Sequence, residues 1–193
     1  MIDIHLHDEI IIVVAIMVVE KREATEWIRQ YGQRYPNTRL IDVVNEPIHK
    51  PPHYKRALDG DGSTGWDWVI WAYTMARECC PRSKLLLNEY HILEGGADLE
   101  RYIGLINLLK QRRLIDGIGV QGHSLETVSD STIKVSLDRL GKLGLPIYVS
   151  ELDVNIANDN AQLRRYQTLF SCHLAEPSSS RGDIMGETAW SPG

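Results

Sequence analysis

The stretch RLIDVVNEPIHK, residues 39–50, decides the fold. Its apolar run, with Ile41, Val43 and Val44, is typical of a buried β-strand, and the run ends in an amide, a carboxylate and a proline. A carboxylate at the end of a buried strand is costly unless it is paired or takes part in chemistry. Glu46 therefore needs a partner or a catalytic role.

Strand-like runs of this kind recur along the chain and alternate with amphipathic helical patterns, which predicts parallel pairing through crossover connections. A doubly wound nucleotide-binding sheet would need a glycine-rich phosphate turn after its first strand, and we expect no such turn in this chain. The alternative is a (β/α)₈ barrel, whose active site is assembled from the C-terminal ends of the strands. Polar residues at the predicted strand ends favour this barrel: Asn45, Glu46, Asn88, Glu89, Gln121, His123, Glu151, Asp153 and Trp190.

Two carboxylates in one concave mouth point to glycoside hydrolysis. In that reaction one carboxyl group donates a proton to the leaving oxygen and the other attacks the anomeric carbon. Glu46 and Glu151 form such a pair, Asn45 offers a hydrogen bond to a sugar hydroxyl, and Trp190 offers an apolar platform for a sugar ring.

Composition excludes other classes of function. The chain has 193 residues, of which 43% are hydrophobic and 24% charged, as expected for one packed globular core. Its net charge of -5 gives no basic surface for phosphates, so we expect no nucleic-acid partner. The three cysteines have neither a disulfide framework nor a CxxC spacing. Asp59 and Asp61 lack the later glutamate of a calcium loop, and we expect no metal and no cofactor.

The N-terminal segment, residues 1–19, is atypical. Its apolar run, Ile10–Val19, follows Asp8 and Glu9 instead of the positive charges of a signal peptide. The run is shorter than the ~20 residues of a membrane-spanning helix, so we expect no membrane anchor. Because it is rich in Ile and Val, it is predicted to be a buried β-strand.

Five motifs carry a family resemblance: IDVVNEP, KLLLNEY, IDGIGVQGH, LPIYVSELD and GETAW. In order and spacing they resemble strands four to eight of glycoside hydrolase family ten, the retaining endo-1,4-β-xylanases. The resemblance covers about residues 20–193, and the two carboxylate motifs together are highly specific for it. It implies one partial catalytic domain, residues 1–193, with the fold of an incomplete (β/α)₈ TIM barrel that lacks its N-terminal strands. It also implies a secreted or periplasmic protein.

The resemblance implies a role for each site residue. Glu46 resembles the general acid/base and Glu151 the nucleophile, while His123 and Asp153 resemble the residues that orient the nucleophile. The residues that resemble contacts to the sugar are Asn45, Gln121, Trp190, Asn88 and Tyr90. The expected partner is xylan or a xylo-oligosaccharide, whose internal β-1,4 bonds would be cleaved through a covalent glycosyl-enzyme intermediate.

The chain also departs from the family pattern. Family members usually read NDYN where this chain has NEYH, residues 88–91, so Glu89 is interpreted as structural. A chain with five or six of eight strands cannot close a barrel, and it is expected to be poorly soluble and weakly active. Two alternatives remain open: an inactive remnant that at most binds oligosaccharide, and a cellulase or mannanase of the same clan.

Overall fold

The computed structural model describes the backbone of residues 5–170 and the side chains of residues 18–170. Its first element is a helix, α1 (His5–Arg34), which ends just before Pro36. A four-stranded parallel sheet follows, in the order β1-β2-β3-β4. Its strands are β1 (Leu40–Asn45), β2 (Lys84–Glu89), β3 (Gly117–Gln121) and β4 (Ile147–Ser150).

Helices connect the strands, as the alternating pattern predicts. The connection from β1 to β2 contains a short 3₁₀ helix, His53–Leu58, and then the α-helix α2 (Asp67–Cys79). The α-helices after α2 are α3 (Gly96–Gln111), α4 (Asp130–Gly141) and α5 (Asp159–Leu169). Side-chain caps begin the last two: Ser129 accepts a hydrogen bond from the Thr132 amide, and Asn158 accepts one from the Ala161 amide.

The predicted strand over Ile10–Val19 is wrong, because this run is helical and continues directly into the rest of α1. No glycine or proline interrupts residues 5–31, and Glu, Lys and Ala residues after the run favour helix propagation. A short run of Ile and Val does not by itself distinguish a strand from a helix. Within the described part of the chain, no helix combines the length and apolarity needed to cross a membrane.

Two strings match the pattern GxGxxG, and neither forms a nucleotide-binding turn. Residues 60–65 lie in the loop before α2, far from the end of β1. Residues 117–122 run along β3 itself. The pattern binds a pyrophosphate only where it joins a strand directly to a helix, so the structure agrees with the predicted (β/α)₈ barrel.

The sheet has an apolar face towards the helices and a more polar face opposite. The helix-facing side carries a buried core: Val44, Leu85, Leu87, Ile118, Val120, Ile147 and Val149. Because side chains alternate along a strand, Asn88, Gly119, Gln121 and Ser150 share the opposite, inner face. This inner face ends in the polar residues that the sequence singled out.

A β-bulge in β1 brings one more polar residue to the inner face. Asp42 pairs with Leu86 and Val44 pairs with Leu87, so Val43 is an extra residue in the ladder. The extra residue inverts the alternation and places Asn45 opposite Asn88 on the inner face. Without the bulge, the Asn45 side chain would face the helices.

Some predicted elements lie outside the described residues. These include the motif GETAW, which resembles the last strand of the family pattern, together with Trp190. The remaining sheet is an open arc in which β1 and β4 each have one hydrogen-bonded neighbour within residues 5–170.

We expect the 193-residue chain, expressed alone, to self-associate. Beside the outer edge of β1 lies an apolar groove of about 620 Å³, lined in part by Val43, Trp71 and Trp27, whose indole is 75% exposed. An unpaired strand edge next to such a groove favours association with another chain. Light scattering at increasing concentration should show growing oligomers, and Trp27→Lys should reduce their size.

The matched control is Val135→Lys on α4, because Val135 is also an exposed apolar residue, at 57%, but lies away from β1. This control should associate as the parent chain does. A monomeric parent protein that unfolds cooperatively would show that the open edge does not drive association.

Candidate active site

Glu46 follows β1 directly, in a strained turn. Its amide donates to the main-chain oxygen of Asn88 at 2.9 Å, and its φ of 55° lies in the left-handed region. The next residue, Pro47, disfavours the right-handed helical conformation at position 46. The Lys50 amide then donates to the Glu46 main-chain oxygen at 2.8 Å, so the chain folds back over the carboxylate.

The Glu46 carboxylate has a partner for each oxygen. Gln121 Nε2 donates to Oε1 at 3.2 Å, and Lys50 Nζ forms an ion pair with Oε2 at 2.8 Å. The hydrogen bond with Lys50, assisted by Gln121 and by the lysine charge, lowers the pKa of Glu46 although partial burial opposes this. The carboxylate is 13% exposed, so it is partly screened from solvent and is still reachable.

Asn88 connects the ends of three strands. Its Nδ2 donates to Asn45 Oδ1 and to Glu151 Oε1, each at 3.0 Å, and its Oδ1 accepts from Ser150 Oγ at 2.8 Å. The side chain is only 2% exposed, and these bonds use both of its amide hydrogens and its carbonyl oxygen. Gly119 makes room for it, because a Cβ at that position would lie 2.8 Å from Asn88 Oδ1.

Glu151 follows β4 as Glu46 follows β1, again with a left-handed backbone, at φ 52°. His123 Nε2 lies 3.3 Å from Glu151 Oε2, and His123 Nδ1 lies 2.7 Å from Asp153 Oδ2. Partial burial opposes a charge on His123, but the hydrogen bonds with Asp153 and Glu151 outweigh it and raise the pKa of the imidazole.

The structure brings most of the predicted site residues into one network. Hydrogen bonds connect Asn45, Glu46, Asn88, Gln121, His123, Glu151 and Asp153 at one end of the sheet. Tyr90 lies beside this network, with its ring centroid 5.1 Å from Lys50 Nζ. Trp190 lies outside the described residues.

Two residues of this site, Lys50 and Ser150, were not predicted from the sequence. Lys50 stands four residues after Glu46, a spacing at which opposite charges meet in a helical turn. Ser150 ends β4 on the inner face, which strand alternation could have indicated.

The two aspartates of the dismissed calcium loop are paired with lysines, Asp59 with Lys21 and Asp61 with Lys55. Among residues that the structure describes, no group of three or more ligating side chains is arranged to hold a metal ion.

Comparisons with known proteins identify relatives of the chain. The chain is 34% identical over 171 residues to the "Endo-1,4-beta-xylanase B" of Cellvibrio japonicus, an alignment that covers 87% of this chain and 26% of that protein. It is also 34% identical over 166 residues to the "Exoglucanase XynX" of Acetivibrio thermocellus, covering 76% of this chain and 14% of that protein. The chain thus spans about a quarter or less of these relatives.

A solved structure shows the same fold. It is a mutant of the intracellular xylanase of Thermoanaerobacterium saccharolyticum in complex with xylotetraose, with 27% sequence identity and a TM-score of 0.65. The superposition covers 78% of this chain and 49% of that chain, so the sheet is part of a (β/α)₈ barrel. The family model described as "Glycosyl hydrolase family 10" matches residues 15–192. The chain therefore belongs to glycosyl hydrolase family 10.

Proposed function

We propose that this protein is a retaining endo-1,4-β-xylanase that hydrolyses internal β-1,4 bonds of xylan. The observation that carries the proposal is that a chain of hydrogen-bonded side-chain amides connects two carboxylates, Glu46 and Glu151, at the C-terminal end of one parallel sheet. Gln121 donates to Glu46, Asn88 donates to Glu151, and both amides donate to Asn45. Its relatives include a protein named as an endo-1,4-beta-xylanase, and the solved neighbour binds xylotetraose.

The mechanism assigns a different step to each carboxylate. The Glu151 carboxylate attacks the anomeric carbon while the bond to the leaving oxygen breaks, and Glu46 donates a proton to that oxygen. Glu46, now a carboxylate, then takes a proton from water. The resulting hydroxide attacks the anomeric carbon and releases Glu151 with its electron pair.

The neighbours of Glu151 suit a nucleophile. Asn88 donates to one of its oxygens and His123 faces the other, so the carboxylate is fixed in orientation and stabilised as an anion. Asp153 accepts from the far nitrogen of His123 and thereby sets the direction of the ring. His123 and Asp153 are thus positioning residues.

The proposed sugar contacts need two revisions. Asn88 is 2% exposed, and its polar atoms are occupied by neighbouring side chains, so we assign it to positioning Glu151 rather than to binding sugar. Gln121 is equally buried, at 2% exposure, and its Nε2 donates to Asn45 and Glu46, so we assign it to positioning Glu46. Asn45 is exposed and remains a sugar contact, together with Tyr90 and Trp190.

A glucan-cleaving activity is the second candidate, because one relative is named as an exoglucanase. Parallel assays on xylan and on a soluble β-1,4-glucan separate the two. Binding of xylo-oligosaccharide without any turnover would instead identify an inactive remnant.

The stereochemistry tests the mechanism directly. Proton NMR of a fresh digest of xylohexaose should show the β-anomer of the product first, because two displacements retain the configuration. The carboxyl groups of Glu46 and Glu151 should correspondingly lie about 5 to 5.5 Å apart. Early formation of the α-anomer would contradict the assignment of Glu151 as a nucleophile.

Substitution of each glutamate should give a different result. Glu151→Gln should abolish turnover of xylan and of aryl xylosides, because no nucleophile remains. Glu46→Ala should lower kcat on xylan by about 10² to 10⁴ but spare the first step on aryl xylosides with good leaving groups, and added azide should restore the second step. Steady-state kinetics with both substrates measure this.

The matched control is Glu100→Ala, because Glu100 lies on α3 and pairs with Arg139, away from the site. It should retain the activity of the parent. If Glu46→Ala lost activity equally on both substrates, Glu46 would not be the acid/base.

Lys50 should oppose protonation of Glu46. Replacing it in Lys50→Met should raise the pKa of Glu46 towards its ordinary value, because the hydrogen bond that lowers this pKa is lost. A general acid with a higher pKa stays protonated to higher pH, so the alkaline limb of kcat/KM should move up. Carbon-13 NMR of the Glu46 carboxyl group measures the pKa, and Lys55→Met, which breaks only a pair with Asp61, should leave it unchanged.

A further inference from the structure

A fully buried carboxylate lies beneath the loop that carries Glu46. Glu89, at the end of β2, is 0% exposed and faces the helix side of the sheet. Its Oε2 accepts from the Ile48 amide at 2.8 Å, and its Oε1 accepts from the Tyr90 amide at 2.9 Å. Because Ile48 stands two residues after Glu46, Glu89 fixes the backbone of the Glu46 loop to the end of β2.

His49 supplies a compensating charge. Its Nδ1 lies 3.0 Å from Glu89 Oε1, and its Nε2 lies 3.2 Å from Asp98 Oδ2 on α3. Ionised carboxylates only accept hydrogen bonds, so both contacts are hydrogen bonds at the same time only when both ring nitrogens of His49 carry protons. Partial burial opposes this charge, but the hydrogen bonds with Glu89 and Asp98 outweigh it and raise the pKa of His49.

A second path connects His49 to Glu46 through side chains. The His49 ring packs on Tyr90 with centroids 4.3 Å apart, and the Tyr90 ring lies 5.1 Å from Lys50 Nζ. Lys50 in turn forms the ion pair with Glu46 Oε2 at 2.8 Å. A change at His49 therefore reaches Glu46 both through the backbone turn and through the Tyr90–Lys50 contact.

We propose that His49 and Glu89 are positioning residues for Glu46, and that the Glu46 loop keeps its conformation only while His49 is protonated. Resting on the proposed function, this pair would add an alkaline limit to catalysis that is separate from the titration of Glu46 itself. Glu89, which stands where family members usually have aspartate, is thereby given a positioning role.

The direction of the pH effect follows from the charges that face His49. Glu89 and Asp98 favour its protonated form, Lys50 is its sequence neighbour, and His91 lies 5.8 Å away but is itself paired with Glu94. The pKa of His49 is raised in the folded protein, so its contribution to stability is present at low pH and is lost as the pH rises through that pKa. Above it, buried Glu89 loses its cationic partner.

The test is NMR of the full chain, which requires no substrate and no activity. Nitrogen-15 signals of His49 and the carbon-13 signal of the Glu46 carboxyl group are followed over pH, with Glu46→Gln used for assignment. The Glu46 signal should show two inflections: its own at low pH and a second at the pKa of His49. In His49→Gln the second inflection should vanish and the pKa of Glu46 should rise, because Lys50 loses its fixed platform on Tyr90.

The control is His53→Gln, since His53 is an exposed histidine in the neighbouring 3₁₀ helix, and both inflections should persist. A parent protein whose Glu46 signal has no inflection at the pKa of His49 would overturn the proposal even if His49→Gln failed to fold. The same holds if His49→Gln folds and leaves the Glu46 titration unchanged. Reducing sugar released from xylan is measured separately, so coupled titration in an inactive chain would contradict the proposed function alone.

Discussion

The side-chain amide of Asn88 is the constraint on which the candidate site depends, because it bonds to both outer strands of the sheet. It donates to Asn45 at the end of β1 and to Glu151 after β4, and it accepts from Ser150. Because Asn88 is only 2% exposed, the loss of one of its partners would leave a buried polar group unpaired, at a cost of about 1 to 3 kcal/mol. The bulge in β1 and the missing side chain at Gly119 both serve this one amide.

The loop after β1 is fixed from both faces of the sheet. On the inner face, Gln121 donates to the Glu46 carboxylate. On the helix face, Glu89 accepts from the loop backbone and pairs with His49. A loop with ordinary surface contacts would move freely, whereas two buried polar anchors leave the carboxylate little freedom. Such positioning is what a proton transfer to a bound sugar would require.

Much of this arrangement could be predicted from the sequence, because strand alternation and polar strand ends are local signals. They located β1 to β4 and grouped Glu46, Gln121 and Glu151 correctly at one end of the sheet. Two features could not be predicted. The N-terminal run fits a strand or a helix equally well until its continuation is considered. The bulge and the pairing of Glu89 with His49 depend on contacts across 40 residues of sequence, which no local pattern encodes.

The backbone at the two glutamates supports the catalytic roles proposed for Glu46 and Glu151. Asn45 and Ser150 face inward, so strand alternation would direct the next side chains, Glu46 and Glu151, towards the helices. A left-handed residue at each position turns the carboxylate back to the mouth, at a cost of about 1 to 2 kcal/mol each. Stability alone would favour glycine or asparagine there. Two carboxylates kept in strained positions, each with its own hydrogen-bond partners, are what a reaction needing both would select.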